Sequence, residues 1–302
     1  MIKINKNIVI AALARDCEKS LPKMIDLIDK LRERFIISKV VVVENDSKDN
    51  TKNILFNWET LSEGVKILSQ DYGTLTIPAI DQVECDPTIS VHRIEKMSLY
   101  RNIYLDYVDK LNIEIDYLMV IDIDIDFFSI EALVEALDKD KKDWGAIFSN
   151  GMTQKKYLGI LSKIYFDCFA IYEYPFVEDF SYTQKSLDLT FKTINSNIKK
   201  KKLYSVISAF SGIGIYRYEA IKGLRYKALI NKSINGTAVC EHIPFNIEII
   251  KRGYKNYIYR DFVVMYGDKH NLGLILKLYM PYALFNFVRK FYLKFKKALK
   301  RE

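Results

Sequence analysis

Residues Tyr117–Phe128 read YLMVIDIDIDFF: an apolar run that leads into Asp122, Asp124 and Asp126 at alternate positions. Successive strand side chains point to opposite faces, so an extended continuation would gather all three carboxylates on one face. Like charges packed together raise one another's pKa. Such a cluster stays ionised at low cost if a divalent cation sits among it, and hard ions such as Mg²⁺ or Mn²⁺ prefer oxygen ligands. The stretch therefore predicts a buried strand whose carboxyl end holds a cation, and the cation in turn a diphosphate. A solvated turn rich in Asp is the plainer alternative.

Working outward, strands and helices alternate. NIVIAALA (7–14) reads as a buried strand. Ser20 is placed to cap a helix with Pro22 in its first turn, followed by Leu21, Met24, Ile25, Ile28, Leu31 and Phe35 at helical spacing. KVVVVEN is a β-branched strand, NTKNILFNWETL a helix, VKIL a short strand and HRIEKMSLYRNIYLDYVDKL a helix; Ser129 caps a further helix to Leu137. Later, DWGAIFSN and SVISAFSGIGIYR read as strands, PFNIEIIKRGY as a helix, KNYIYRDFVVMY as a strand, and Asn195–Lys202 as a lysine-rich loop. Strands interleaved with helices in short cycles give an α/β sandwich with a mainly parallel central sheet. Ligands bind such sheets outside the carboxyl ends of the strands.

Three groups fall at those ends or beside them. Ala14 and Arg15 follow the first strand, where a guanidinium can meet phosphate. Glu44, Asn45 and Asp46 follow the second, with acceptors suited to ribose hydroxyls and a base edge. Arg93, Lys96 and Arg101 lie on one amphipathic helix, Arg93 and Lys96 as neighbours at i,i+3.

The chain has 302 residues and a net charge of +8, which suits an anionic partner. Cys17, Cys85, Cys168 and Cys240 are widely spaced, without a CxxC or zinc pattern, and read as reduced cytosolic thiols. MIKINKNIVIAALAR loosely imitates a signal peptide, but its apolar run is short and a first strand explains the same letters. No uncharged apolar stretch approaches about 18 residues, so no membrane span is expected. A nucleotidyltransferase would want a glycine-rich phosphate loop after the first strand, and AALARDCEKS has no glycine. A nucleic-acid-binding role, prompted by the charge and the 13% aromatic content, lacks a recognised motif, and nucleic acid is not expected as a partner.

ARDCEKSLPKMIDLIDKL, VVVENDSKDNTKNIL, RIEKMSLYRNIYLDYV and YLMVIDIDI, in this order, resemble glycosyltransferases related to the fungal capsule-associated α-mannosyltransferases. YFDCFAIYEY, SAFSGIGIYR and CEHIPFN resemble segments of bacterial members, which occur in capsule and lipopolysaccharide gene sets. The likeness spans roughly residues 8–260. It implies a glycosyltransferase A type, Rossmann-like sandwich with a nucleotide-binding half at about 1–128 and an acceptor-side half at about 129–270. It further implies an Asp-x-Asp metal site formed by Asp122 and Asp124, with Asp126 as an extra carboxylate, and a GDP- or UDP-linked sugar donor. In such a domain His242 would complete the metal shell, with His270 as its rival, Glu241 would act as base for the acceptor hydroxyl, and Asp167 would bind acceptor hydroxyls. Ser211, Phe169, Tyr172 and Asn246 depart from the pattern, all on the acceptor side.

Residues 271–302 form a separate basic, aromatic tail, helical and interrupted at Pro281. Its composition suits a helix lying in the plane of an anionic membrane surface, which would hold the protein at the inner face of the cytoplasmic membrane beside a glycan or lipid-linked glycan acceptor; a helix packed on the domain or across a dimer is the alternative.

Overall fold

The computed structural model describes residues 3–137, 143–157, 160–267 and 272–299. His270, the 270/271 junction and the tail residues 300–302 lie outside them. The first half runs β1 (Ile8–Ala14), α1 (Leu21–Arg32), β2 (Ser38–Asn45), α2 (Thr51–Leu61), β3 (Val65–Gln70), α3 (Val91–Val108), β4 (Tyr117–Asp122), β5 (Phe127–Phe128) and α4 (Ile130–Leu137). The second runs β6 (Trp144–Tyr157), β7 (Ile160–Tyr165), α5 (Gln184–Asn197), β8 (Leu203–Val206), β9 (Ile213–Arg217), α6 (Tyr218–Ile221), β10 (Leu229–Ile230), β11 (Ala238–Val239), α7 (His242–Lys251), β12 (Lys255–Tyr266), α8 (Leu272–Tyr279) and α9 (Tyr282–Leu299).

Among the described residues the central sheet has ten strands, in the order β3-β2-β1-β4-β9-β6-β12-β5, with β7 on β6 and β8 on β12. β1 is parallel to both β2 and β4, β2 to β3, and β6 to β12, while β9 runs antiparallel between β4 and β6. Six of the ten strands (β1–β4, β6 and β12) thus run the same way, the predicted α/β sandwich. The β-branched runs are strands because both of their faces are covered. Ile8, Ile10 and Ala12 of β1 pack with Leu21, Met24, Ile28, Leu55 and Trp58 on the α1–α2 side; Val9 and Ala11 pack with Tyr100, Tyr104 and Leu105 of α3 on the other. Burying each such aliphatic side chain stabilises by about 1.5–3 kcal/mol, and a charge at any of these alternating positions would have no water-facing side to turn to.

The chain leaves β1 toward β2 on one side and reaches β4 on the other, so the connections diverge at the carboxyl ends of β1 and β4. That divergence opens a crevice. Leu13 pairs with Asp122 in register, which sets Ala14 and Arg15 against the end of the Asp-rich stretch.

Four local expectations change. SVISAFSGIGIYR is not one strand: it holds the end of β8 and all of β9, with a turn at Ser211 and Gly212 between them. The strand stops at Asp122, so the three aspartates do not share a strand face: Asp126 donates its backbone N–H to Met265 O at 2.8 Å, and its carboxylate lies beside Gly267. Ser20 occupies the α1 N-cap without capping it; its hydroxyl donates instead to the Cys17 carbonyl at 3.2 Å. Asn195–Lys202 is not all loop. α5 extends to Asn197, and Asn195 is buried because its side chain joins α5 to β7, accepting from Tyr165 N at 2.8 Å. The Ser129 cap forms as expected, accepting from Ala132 N at 3.1 Å.

Candidate donor and metal cleft

The loops after β1 and β2 are tied to each other. Asp16 N donates to Ser47 Oγ (3.1 Å), Lys48 N to Asp16 Oδ1 (2.7 Å), Cys17 N to Thr51 Oγ1 (2.8 Å), Glu18 N to Asp49 Oδ2 (3.0 Å) and Asn50 N to Glu18 Oε2 (2.9 Å). These polar residues therefore spend much of their hydrogen-bonding capacity on the loops' own backbone, as short polar side chains in turns do. The result is a rigid rim beside the crevice.

The crevice is a cleft of about 970 Å³. Ala14 and Arg15 line it from the end of β1, Asn45 from β2, Arg93 and Tyr100 from α3, Asp122 and Asp124 from the end of β4, Phe166, Asp167 and Phe169 from the segment after β7, and Tyr266 from the end of β12. Arg15 donates to Thr74 O (3.3 Å) and Thr76 Oγ1 (3.1 Å), and Arg93 to Thr88 O (2.8 Å). Asp167 accepts from Phe169 N at 2.8 Å.

Asp122 is the electrostatic centre. Desolvation first, and then the neighbouring Asp124, push its carboxyl up to about 7, against the pull of Arg101 and of the Tyr266 hydroxyl, which donates to it at 3.2 Å. Among the described residues, six of the lining carry carboxylates (Asp16, Glu18, Asp49, Asp122, Asp124, Asp167) and three carry fixed cations (Arg15, Lys19, Arg93). A cleft with excess negative charge, in a chain of net charge +8, is built to receive positive charge before it receives an anion.

Other expected residues lie elsewhere. Glu44 is fully buried and works as a bracket, accepting from Ser47 N at 2.9 Å and from the Ser69 hydroxyl. Asp46, at φ 53°, accepts from Gly73 N at 2.7 Å and from the Asn45 amide at 3.1 Å. Both shape the rim without lining the cleft. Lys96 is half-buried on α3 and outside the lining. Arg101 does not meet the cleft either: it is buried and ion-paired to Glu241 at 3.0 Å, with each side chain 4% exposed. Glu241 is thus engaged by a guanidinium in the interior and, 4% exposed, lies outside the cleft lining. His242 stacks on Phe210 (centroids 4.0 Å apart), sits edge-on to Tyr226, and is 2% exposed, with neither ring nitrogen hydrogen-bonded. Burial, reinforced by Arg101, holds it well below its ordinary pKa, so it is a neutral core residue. Among the described residues no group of three or more His, Cys, Asp or Glu is arranged to hold a metal ion by itself.

Sequence reasoning missed Tyr266, Lys19, Tyr100 and Phe166. Tyr266 could have been found by the same strand-end rule that found Asp122, since it closes β12; Phe166 and Tyr100 carry no comparable signal.

No protein-family model matches the chain, and no curated protein matches it. Solved structures do. A mannosyltransferase from Pyrobaculum calidifontis, in complex with GDP-Man and Mn²⁺, is 11% identical with a TM-score of 0.47, over 87% of this chain and 57% of that one. S. aureus TarS, residues 1–349, is 13% identical with a TM-score of 0.45, over 86% and 60%. Glucosyl-3-phosphoglycerate synthase from Mycobacterium tuberculosis, with Mn²⁺, UDP and phosphoglyceric acid, is 13% identical with a TM-score of 0.41, over 91% and 80%. The chain spans less than two thirds of the length of the first two.

Proposed function

We propose that the chain is a metal-dependent glycosyltransferase of the glycosyltransferase A kind. It moves a sugar, a hexose in the simplest reading, from a GDP- or UDP-linked donor to a glycan or lipid-linked glycan in capsule or lipopolysaccharide synthesis. The observation that carries the reading is the carboxylate excess of a cleft at the β1/β4 switch point of a basic protein, with Asp122 and Asp124 side by side at a strand end. A bare diphosphate would be repelled there, and so would nucleic acid. A diphosphate brought with a divalent cation would not.

The donor set fits Mn²⁺ or Mg²⁺: the oxygens are hard, one or two carboxylates suffice when a diphosphate supplies further ligands, and Asp122 is desolvated enough that a neighbouring positive charge is what its ionised form lacks. Asp122 and Asp124 would hold the ion, which when bound supplies positive charge to the departing diphosphate. Arg15 and Arg93 face the same space and can reach phosphate oxygens, while Asn45 offers its amide to the nucleoside. Asp167, on the second half of the chain, lines the same cleft and would accept a hydrogen bond from the acceptor hydroxyl. In the transfer that hydroxyl oxygen bonds to the anomeric carbon as the carbon–diphosphate bond breaks, and its proton passes to a base. With Glu241 held by Arg101, Asp167 takes over that candidacy.

A nucleotidyltransferase reading lacks support, because the loop after β1 is a carboxylate-rich latch rather than an open nest of backbone N–H groups. The test is a thermal-shift screen of nucleotide sugars with Mn²⁺. Ligand at about 100 times its dissociation constant stabilises by about 2.7 kcal/mol. A Mn²⁺-dependent rise in melting temperature with one donor supports the reading; a flat response to the whole panel contradicts it.

A further inference from the structure

The helix α9 is apolar on the wrong side. Its inward face is set by Asp188 of α5, a carboxylate 3% exposed that pairs with Lys277 of α8 at 2.7 Å and with Arg289 of α9 at 3.5 Å. Lys192 of α5 also donates to the Met280 carbonyl between the two helices. Tyr282, Phe285 and Arg289 are accordingly half-buried. The opposite face is left with Leu284 (50% exposed), Phe287 (70%), Val288 (40%) and Phe291 (69%). These positions are i, i+3, i+4 and i+7, one continuous stripe along the helix. Tyr279, just before α9, is 74% exposed.

A large exposed apolar stripe marks an interaction surface, and its chemistry selects the occupant. Apart from the inward-paired Arg289, residues 282–299 contain Lys290, Lys294, Lys296 and Lys297 and no Asp or Glu. A second copy of the helix would bring the same cations and no carboxylate to neutralise them, so pairing two copies adds charge without matching it. An anionic lipid surface instead neutralises the cations while its acyl boundary takes up the aromatic stripe. No helix among the described residues is long and apolar enough to cross a membrane.

We propose that Leu284, Phe287, Val288 and Phe291, together with the lysines of α9, form an anionic-lipid docking surface that holds the protein peripherally at a membrane. The proposal uses no property of the cleft, so it and the donor reading stand or fall separately. The test is co-sedimentation of the full chain with phosphatidylcholine vesicles with and without phosphatidylglycerol. The wild type is expected to sediment with the anionic vesicles only, and less as salt rises. The double variant Phe287→Ser with Phe291→Ser should keep its circular dichroism and melting temperature yet bind at least about tenfold more weakly, because two apolar anchors are gone. The proposal is overturned if the wild type stays in the supernatant at low salt. It is likewise overturned if the variant binds equally well, or if light scattering shows a dimer that the variant dissolves and vesicles do not bind.

Discussion

Asp122 sits between opposing influences, and its pKa sets a stability test. Its folded pKa, about 7, lies above the unfolded value of 3.8. The proton is therefore bound more tightly in the folded state, and the stability it brings is fully present below about pH 4 and lost as pH rises through about 7. In metal-free buffer Asp122→Asn should remove that loss and raise the melting temperature at pH 8 relative to wild type, with little difference at pH 4. The same substitution, like Asp124→Ala, should abolish transfer without unfolding the protein. Parallel melting curves for the two proteins across that range would refute the assignment. Glu241 behaves differently. Its charge is matched to Arg101 in the interior, so Glu241→Gln leaves a buried guanidinium uncompensated, at a cost on the order of 3 kcal/mol. A large fall in melting temperature is expected; an unchanged melting temperature with a collapsed kcat would restore Glu241 as a base. His242 supplies the opposite pH sign to Asp122. Its folded pKa is depressed below 6.5, so its contribution is present above that pH and lost as pH falls below it. Replacing it with Phe should flatten the wild-type decline in melting temperature between pH 6.5 and lower values.

At the scale of elements, the cleft depends on close backbone contacts that only glycine permits. A Cβ on Gly151 of β6 would lie 2.2 Å from the Phe166 carbonyl oxygen and 2.8 Å from Ser211 Cβ. Gly151→Ala must therefore displace Phe166 and with it Asp167, a lining residue. The expected cost is on the order of 1–3 kcal/mol, with a loss of turnover larger than that of donor binding; donor affinity and turnover measured together check it. This contact also marks where sequence reading stops. β1, β2, β4, α3 and β12 were legible because their apolar residues follow strand or helix periods, and the strand-end rule brought Ala14, Arg15, Asn45, Asp122 and Asp124 to one cleft. Arg101 and Glu241 are 140 positions apart, and nothing local announces that one neutralises the other. Asn195 looked like loop because its amide is polar, yet it is buried as a bracket to β7. Short-range pattern shows which residues are inside, but not which buried polar groups choose each other.

At the scale of the whole molecule a basic chain carries an acidic cleft; in the proposed reading the α9 stripe would meet an anionic surface, and the carboxylates a cation and its diphosphate. The central claim is that donor binding runs through Asp122 and Asp124 with a divalent ion. It is tested most directly by calorimetric titration of the nucleotide sugar found in the screen, with Mn²⁺ and with chelator, into wild type and Asp124→Ala. The account predicts tight binding to wild type with Mn²⁺, and binding weaker by at least about tenfold, or about 1.4 kcal/mol, both with chelator and in the variant. Equal affinity in all three would contradict it.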